Sequence, residues 1–449
     1  MTATVTSTPT TAPTLPPSST GLYVGAAKRD ITPMNAVFLG GFGFGPGRKS
    51  TGVLAPIHVR AFVVSDGTHA IAFAENETQG TFAAYKRGPW GLTETRLAIQ
   101  DATHGALPAQ NIVIGSDHSH SGPDTTGVWG GLPNAYMTML RDLTLEAVVE
   151  AFNTMRPAQL LIGSTDAREL LHSQFDAPPN DFVDSELRVL VAADPGDASK
   201  IQTIMINFSA HADVMGADNK LLSSDWPGVV AGKMEQSLGI DNALVMVADV
   251  GRTQPSGGDG STDPERLDSY ANLIKAKVDT AMSALTPVNG TQVAATELFL
   301  SDPFGNQVIP FYYLDGIISR NDKPPWVQGS NIGTFASAMR IGDVLLTAVP
   351  GEGYPSIRVG LMQSVTAQMH FIFGLANDQL GYLIAPQEGY PQVLAASPGN
   401  DNALFNVSPA IGDHVMCTLF KGVQRINFVT PTVPDKCSVW ADEDNSLPF

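Results

Sequence analysis

Apolar and polar positions along the chain alternate in patterns that predict strands interleaved with helices. Two apolar runs at residues 59–64 and 70–73 flank an Asp-Gly pair, and this pattern is typical of a β-hairpin. Other short apolar runs predict strands at residues 112–114, 160–163, 187–192, 201–208, 243–248, 344–349 and 369–375. Longer stretches predict helices at residues 92–104, 134–155, 226–238, 264–285 and 414–423.

This alternation over 449 residues indicates an α/β fold with flanking helices. The hairpin predicts mixed sheets, since a purely parallel sheet has no hairpins. Residues 1–21 are rich in Ser, Thr and Pro and carry no charged side chain, so we predict a disordered leader. No second linker-like stretch follows, so residues 22–449 are predicted to form one domain.

Composition narrows the classes of partner. The formal net charge is −18, and no basic stripe is present to bind nucleic acid or an anionic membrane surface. No apolar run approaches the ~20 residues of a membrane-spanning helix. Two cysteines, Cys417 and Cys437, are too few for a disulfide scaffold or a Cys-rich zinc module. One disulfide and two buried thiols both remain open.

Polar side chains follow several predicted strands at the point where each strand ends. These side chains are His118 and His120, His211 and Asp213, Asp249 and Arg252, Glu352, and Asp378 and Tyr382. Each one alone is also typical of an ordinary loop or turn, so the prediction rests on their joint occurrence. Imidazole and carboxylate groups are preferred zinc ligands, and we predict a metal site at the carboxyl edge of the strands.

The motifs at these strand ends resemble those of the neutral, non-lysosomal ceramidase family, particularly its shorter bacterial members. They stand in the family's order, and the resemblance covers most of the chain after residue 21. The motifs are S-D-H-S-H-S-G-P at residues 116–123, N-F-S-A-H-A-D at 207–213 followed by D-N-K-L-L-S-S-D-W-P-G at 218–228, A-V-P-G-E at 348–352, and G-L-A-N-D-Q-L-G-Y at 374–382.

The resemblance implies a zinc-dependent amidohydrolase, with Zn²⁺ as its cofactor and a small-molecule or lipid-like amide as its substrate. The implied zinc ligands are His118, His211, Glu352 and Tyr382. It also implies that a zinc-activated water attacks the carbonyl of an N-acyl amide, while His120 contacts the substrate or the developing oxyanion. A basic group must collect and return the proton, and Asp213 and Asp378 are the candidates by their proximity to the motifs.

One motif departs from the family pattern. Where ceramidases carry G-D-x-S-P-N, this chain has G-R-T-Q-P at residues 251–255, so Arg252 replaces the aspartate and Gln254 the serine. We count Arg252 among the catalytic candidates, as a fixed cation that suits an anionic substrate group. The departure leaves open whether the substrate is ceramide. A zinc esterase or lactonase on the same scaffold, and a non-catalytic binding protein, are the alternatives.

Two further expectations concern location and the pocket. The resemblance implies a secreted or periplasmic protein, but residues 1–21 hold no apolar signal-peptide core, so a cytoplasmic location also stays open. Loops at residues 38–47, 123–136 and 303–330 are expected to shape the pocket. The first of them is rich in Gly and Phe and predicts a flexible loop at the pocket wall.

Overall fold

The computed structural model describes residues 14–16, 21–174, 182–305, 317–388, 402, 405–428 and 433–449. Most of the leader predicted at residues 1–21 and part of the loop at 303–330 lie outside these ranges. The strands before residue 260 are β1 (Leu22–Asp30), β2 (Gly52–Val53), β3 (His58–Ser65), β4 (Ala70–Asn76), β5 (Ile112–Ser116), β6 (Arg156–Asp166), β7 (Leu171–Ser173), β8 (Glu186–Asp194), β9 (Asp197–Phe208), β10 (Leu221–Leu222), β11 (Ala243–Val247) and β12 (Thr253–Pro255).

The later strands and the helices complete the described elements. The strands are β13 (Thr286–Pro287), β14 (Val293–Pro303), β15 (Val327–Gln328), β16 (Asn331–Ile341), β17 (Val344–Ala348), β18 (Glu352–Gly353), β19 (Met369–Phe373) and β20 (Tyr382–Leu383). The helices are α1 (Leu92–Ala102), α2 (Asn134–Asn153), α3 (Asp225–Leu238), α4 (Asp263–Met282), α5 (Pro355–Met362) and α6 (Ile411–Arg425). Among these described helices, none combines the length and the apolar character needed to cross a membrane.

Two mixed sheets form the centre of the molecule. The larger sheet has the strand order β11-β9-β8-β6-β1-β3-β4-β5, with β13 beside β6, and the smaller has the order β14-β16-β17-β19, with β15 beside β16. Most neighbours are antiparallel, but β4–β5, β9–β11 and β17–β19 are parallel pairs. The strands that precede the candidate site residues, β5, β9, β11, β17 and β19, are members of these parallel pairs, so their carboxyl ends can share an edge.

The sheets pack face to face, and helices cover their outer faces. Along β17, Val344 and Leu346 pack into the core between the sheets, while Leu345 packs into the core that includes α6. This period of two is what a strand buried on both faces requires. In the same inter-sheet core, Phe73 of β4 meets Phe373 of β19 with ring centroids 5.4 Å apart. The layers are therefore helix, sheet, sheet, helix.

The larger sheet curves so that strands far apart in its order come close together. Nδ2 of Asn242, just before β11, donates to the carbonyl of Ala61 on β3 at 3.1 Å. Asn207 of β9 links this sheet to the smaller one, because its Nδ2 donates to the carbonyls of Met246 at 2.9 Å and Ile372 at 2.8 Å. These bonds, together with the contact between β11 and β5, bring β5, β9, β11 and β19 together.

The predicted α/β class with mixed sheets and flanking helices is confirmed, and so is the hairpin, which is β3–β4 with Val64 opposite Ile71. Predicted helix boundaries are off by a few residues. The helix predicted to end at residue 285 ends at Met282. Its start is marked by a capping box between Thr262 and Glu265. The pattern did not reveal β14, β16 or α5.

Candidate metal centre and substrate pocket

His118 and His120 lie in the loop after β5, as predicted. His118 has a positive φ of 61°, a backbone conformation that is uncommon for a residue other than glycine. Its Nδ1 donates to the carbonyl of Gln79 at 2.8 Å, so Nε2 keeps its lone pair. The backbone amide of His120 donates to the carbonyl of Ala212 at 2.9 Å, which ties this loop to the loop after β9.

His211 comes from the loop after β9 and is held in the same way. Its backbone amide donates to the carbonyl of Thr253 at 3.1 Å, and its Nδ1 lies 3.1 Å from the carbonyl of Val250. Because a carbonyl oxygen can only accept, Nδ1 carries the proton and Nε2 presents a lone pair. The segment after β11 therefore orients the His211 ring, which lies in the loop after β9.

Glu352 and Tyr382 stand side by side in a short parallel ladder between β18 and β20. The amide of Glu352 donates to the carbonyl of Gly381 at 2.9 Å, and the Tyr382 side chain hydrogen-bonds the Glu352 carboxylate. Glu352 is buried, whereas Tyr382 is half-buried. The ladder therefore delivers a carboxylate and a phenol to one point.

Three imidazoles and one carboxylate converge in a buried cluster. His118, His120 and His211 place one ring nitrogen each within 4.8 Å of the others. Oε2 of Glu352 lies 3.4 Å from Nε2 of His118 and 3.6 Å from Nε2 of His211. That oxygen is buried and has no hydrogen-bond partner among the described residues. The ring nitrogens lie close together beside a carboxylate oxygen that has no hydrogen-bond partner among the described residues. Such a set of donor atoms fits a divalent metal.

Electrostatics favour the metal-binding form of His120, His211 and Glu352. Burial, reinforced by neighbouring His118, lowers the pKa of His211 to about 4 and that of His120 well below its usual value. Both rings are therefore neutral at pH 7, which is the form that binds metal. Burial disfavours charge on Glu352 and His118, but their mutual attraction outweighs it, so the pKa of Glu352 is lowered and that of His118 is raised.

The glycine-rich loop at residues 38–47 presses on His120. Gly41 has φ of 99°, and a Cβ there would lie 2.2 Å from Cγ of His120, so only glycine fits. The Phe42 ring meets the His120 ring edge-on, with centroids 4.6 Å apart. Nη2 of Arg48 donates to the carbonyls of Gly40 and His120, which joins the loop to the histidine. The predicted flexible wall is thus a support for His120.

The cluster opens into a pocket of about 260 Å³. One part of its wall is apolar and consists of Phe42, Phe82, Val128, Trp129, Ile318, Leu380 and Phe405. Another part carries carboxamides and one carboxylate, namely Gln79, Gln174, Gln254, Gln379, Asn402 and Asp213. The lining also includes the cluster residues His118, His120, His211, Glu352 and Tyr382, together with Gly41, Gly43, Thr126 and Gly381. An apolar wall with a few polar groups beside a metal-binding cluster is typical of a site for an amphipathic small molecule.

The two candidate proton carriers differ in position. Asp213 lines the pocket, and burial raises its pKa to about 6, near the range where a group exchanges protons at neutral pH. Asp378 accepts hydrogen bonds from Thr334 at 2.8 Å and from Ala83 at 3.0 Å, and it is ion-paired with Arg320. It is not among the described residues that line the pocket, so Asp213 is the better placed of the two.

Arg252 lies behind the wall and not on it. Its Nη2 is 2.8 Å from Oε2 of Glu388, and its guanidinium lies 5.5 Å from the centre of the Tyr354 ring. Its carbonyl accepts from the amide of Gln174, a residue of the pocket wall. The structure therefore brings His118, His120, His211, Asp213, Glu352 and Tyr382 together and leaves Arg252 outside the described lining. A catalytic role for Arg252 stays a prediction.

The sequence pattern missed four carboxamides of the described lining, namely Gln79, Gln174, Gln379 and Asn402. Gln79 follows β4, and Gln379 lies inside the G-L-A-N-D-Q-L-G-Y motif. The same signal that found the histidines, a polar residue just after a buried strand, also applies to Gln79. It was hidden because β4 was interpreted only as half of a hairpin.

Comparison with known proteins identifies the family. Residues 22–263 match the family model described as neutral/alkaline non-lysosomal ceramidase, N-terminal. The chain belongs to this family. The structure is similar to that of the neutral ceramidase from Pseudomonas aeruginosa, with a TM-score of 0.75 and 17% identity over 94% of this chain and 77% of that one. It is also similar to a ceramidase complexed with C2, with a TM-score of 0.74 and 16% identity over 93% and 78% of the two chains. A comparison with the curated proteins gives no match.

At these identities the structural likeness establishes the ceramidase fold, and membership of the ceramidase family supports a hydrolase that acts on amide bonds. The predicted family is confirmed, and so is the convergence of a histidine cluster with the geometry to hold a metal at the carboxyl ends of the strands. The assignment of individual ligands and catalytic residues stays a prediction.

Proposed function

We propose that this protein is a zinc-dependent hydrolase that cleaves the amide bond of a ceramide-like N-acyl amide. The observation that carries the proposal is the convergence of His118, His211 and Glu352 on one buried point at the end of an amphipathic pocket. Membership of the ceramidase family supports the same bond type. Two imidazole nitrogens and a carboxylate, with Tyr382 adjacent, form a set that suits zinc.

The chain's own residues divide the remaining tasks. When bound, zinc supplies a Lewis acid that polarises the acyl carbonyl and makes water nucleophilic at neutral pH. His120, neutral and backed by Phe42, is placed to hydrogen-bond the carbonyl oxygen as it gains charge. Asp213 lines the same space and is the group proposed to take up the proton and return it to the leaving nitrogen.

The pocket wall fits a substrate with an apolar tail and a polar centre. Phe82, Val128, Trp129 and Leu380 offer an apolar surface for an acyl chain. Trp129 is anchored by its Nε1, which donates to the carbonyl of Gly43 at 2.9 Å, so this wall is preformed. The proposed ligand is therefore a lipid-like amide.

Metal content and substrate range test the proposal together. The purified protein is expected to hold about one zinc per chain, and chelation is expected to lower both its melting temperature and its hydrolysis of N-acyl sphingosine. Simple aryl and acyl esters serve as the comparison substrates. Protein that lacks zinc and is unaffected by chelation would exclude the metal site. Faster turnover of the esters than of every amide would favour the esterase alternative, and binding without turnover of either would favour a non-catalytic protein.

We also propose that the protein works in an oxidising compartment outside the cytoplasm. This proposal is supported by the disulfide between Cys417 of α6 and Cys437, whose Cα atoms are 5.3 Å apart. The bridge answers the question that the two cysteines left open. Fractionation of the native host followed by alkylation and mass spectrometry is expected to find the oxidised pair in the periplasmic or extracellular fraction. Free thiols on a cytoplasmic protein would contradict it.

A further inference from the structure

Two buried glutamine side chains line the pocket beside the histidine cluster. Gln79 is 3% exposed and Gln379 is 7% exposed. Their Oε1 atoms are both buried, and neither has a hydrogen-bond partner among the described residues. Leaving such an acceptor unpaired costs about 1–3 kcal/mol, so each oxygen is suited to a donor that arrives with a ligand.

The two side chains are held in place by rigid surroundings. The carbonyl of Gln79 accepts from Nδ1 of His118, which fixes this residue against a candidate metal ligand. The backbone amide of Gln379 donates to Asp378 at 2.9 Å, and Asp378 is clamped by Arg320. Gly80 lies between them, and a Cβ on it would come within 3.1 Å of Cγ of Gln379. The two carboxamides therefore share one side of the pocket, close to the place where hydrolysis is proposed.

An amide and an ester differ at the atom next to the acyl carbonyl, which is a nitrogen in the amide and an oxygen in the ester. A secondary amide carries an N–H donor, whereas the corresponding ester oxygen carries only lone pairs. A site built to bond a donor rejects the analogue without it, because the buried acceptors stay unpaired.

We propose that Gln379, together with Gln79, accepts a hydrogen bond from the N–H of the scissile amide and so selects amides over esters. The inference rests on the proposed hydrolase function and names the residues that decide its bond specificity. Gln254 lines the same pocket but is half-buried. Solvent can reach its amide, so it is not expected to discriminate.

The test uses a matched pair of substrates, an N-acyl amide and an O-acyl ester with the same acyl chain and the same leaving fragment. Gln379→Met and Gln79→Met keep the length of the side chain and remove its acceptor. Each is expected to lower kcat/KM for the amide about tenfold to a hundredfold and to leave the ester unchanged, so the amide-to-ester ratio falls. Equal losses on both substrates, or no loss on either, would overturn the inference.

Controls separate this inference from the proposed function. Gln254→Met is expected to leave the amide-to-ester ratio unchanged, and a fall as large as that of Gln379→Met would count against the assignment. Zinc content and melting temperature are measured for each variant, and Gln79→Met provides an independent variant if Gln379→Met does not fold. If the wild-type protein cleaves neither substrate, the proposed function fails. If it cleaves both but no variant alters the ratio, only the present inference fails.

Discussion

Glu352 and Tyr382 are register partners in the β18–β20 ladder, and their side chains are hydrogen-bonded to each other. The ladder contains two residues on each strand, and the amide of Glu352 donates to the carbonyl of Gly381. The position of the carboxylate is thus coupled to that of the phenol. A change that displaces one of the two strands is expected to displace both candidate ligands.

The zinc content of substituted proteins tests which residues are the metal ligands. His211→Ala and Glu352→Ala are each expected to lose zinc, because each removes a donor atom from the buried cluster. His120→Ala is expected to keep zinc and to lose hydrolysis about a hundredfold or more, since it removes a donor to the oxyanion. Zinc per chain is measured by mass spectrometry after gel filtration. The geometry also permits a set of three histidines, and loss of zinc from His120→Ala would establish that set instead.

The proposed support of His120 by the loop at residues 38–47 can be tested by adding a single methyl group at Gly41. Gly41→Ala is expected to lower kcat about a hundredfold, because the new Cβ overlaps the His120 ring and displaces it. Gly45→Ala is the matched control: its φ is 77°, but a Cβ there meets no atom within 4 Å. The control is expected to cost about 1 kcal/mol of stability and to keep its rate. Equal rates for the two variants would contradict the proposed support.

His414 is expected to make stability depend on pH above about 6.5. Burial opposes its charge, but Asp302, with an oxygen 3.0 Å from Nδ1, and Glu443, 2.8 Å from Nε2, outweigh burial and raise the pKa of His414. A raised pKa means that the folded state holds the proton more tightly. The stabilisation is therefore complete below about pH 6.5 and is lost as the pH rises through the folded pKa.

The measurement is urea unfolding at a series of pH values above about 6.5, with His414→Gln as the control. The free energy of unfolding of the wild-type protein should fall over this range by about 1.4 kcal/mol for each unit by which the pKa is raised, and that of the variant should fall less. Parallel curves for the two proteins would show that another group is responsible.

Removing only one member of the buried ion pair between Arg252 and Glu388 is expected to lower the stability of the fold. Arg252→Met or Glu388→Met alone leaves an uncompensated buried charge and should lower the free energy of unfolding by about 3–5 kcal/mol. The double variant should recover part of this loss, because no unpaired charge remains. Urea unfolding of the four proteins gives the coupling energy, and strictly additive losses would mean that the pair is not coupled.

The same variants test the predicted role of Arg252 toward substrate. If Arg252 only positions the wall, Arg252→Met should change the hydrolysis of neutral and anionic amides by the same factor. A loss confined to anionic substrates would instead place its guanidinium in contact with the substrate during turnover.

Much of the fold could be predicted because its signals are local. The hairpin β3–β4 follows from an Asp-Gly turn between apolar runs, and β5, β9, β11, β17 and β19 are short apolar runs that end in polar residues. The long strands β14 and β16 were missed because their apolar positions are interrupted by residues such as Glu297 and Arg340, which suit an antiparallel pair but break a continuous run. The small helix α5 is too short to show a period.

The sequence by itself determined which residue types end the strands, because a buried strand must stop before a charged or imidazole side chain can reach a cavity. His118, His211, Glu352 and Tyr382 could all be named from this pattern and the family motifs. Only the tertiary structure decided that they meet. The strands that carry them lie in two different sheets, and the larger sheet must curve before β5 and β11 approach each other. The tertiary structure also placed Arg252 behind the wall and left the Oε1 atoms of Gln79 and Gln379 without a hydrogen-bond partner in the described part of the chain. Burial and pairing of this kind depend on contacts between distant segments, which no local pattern encodes.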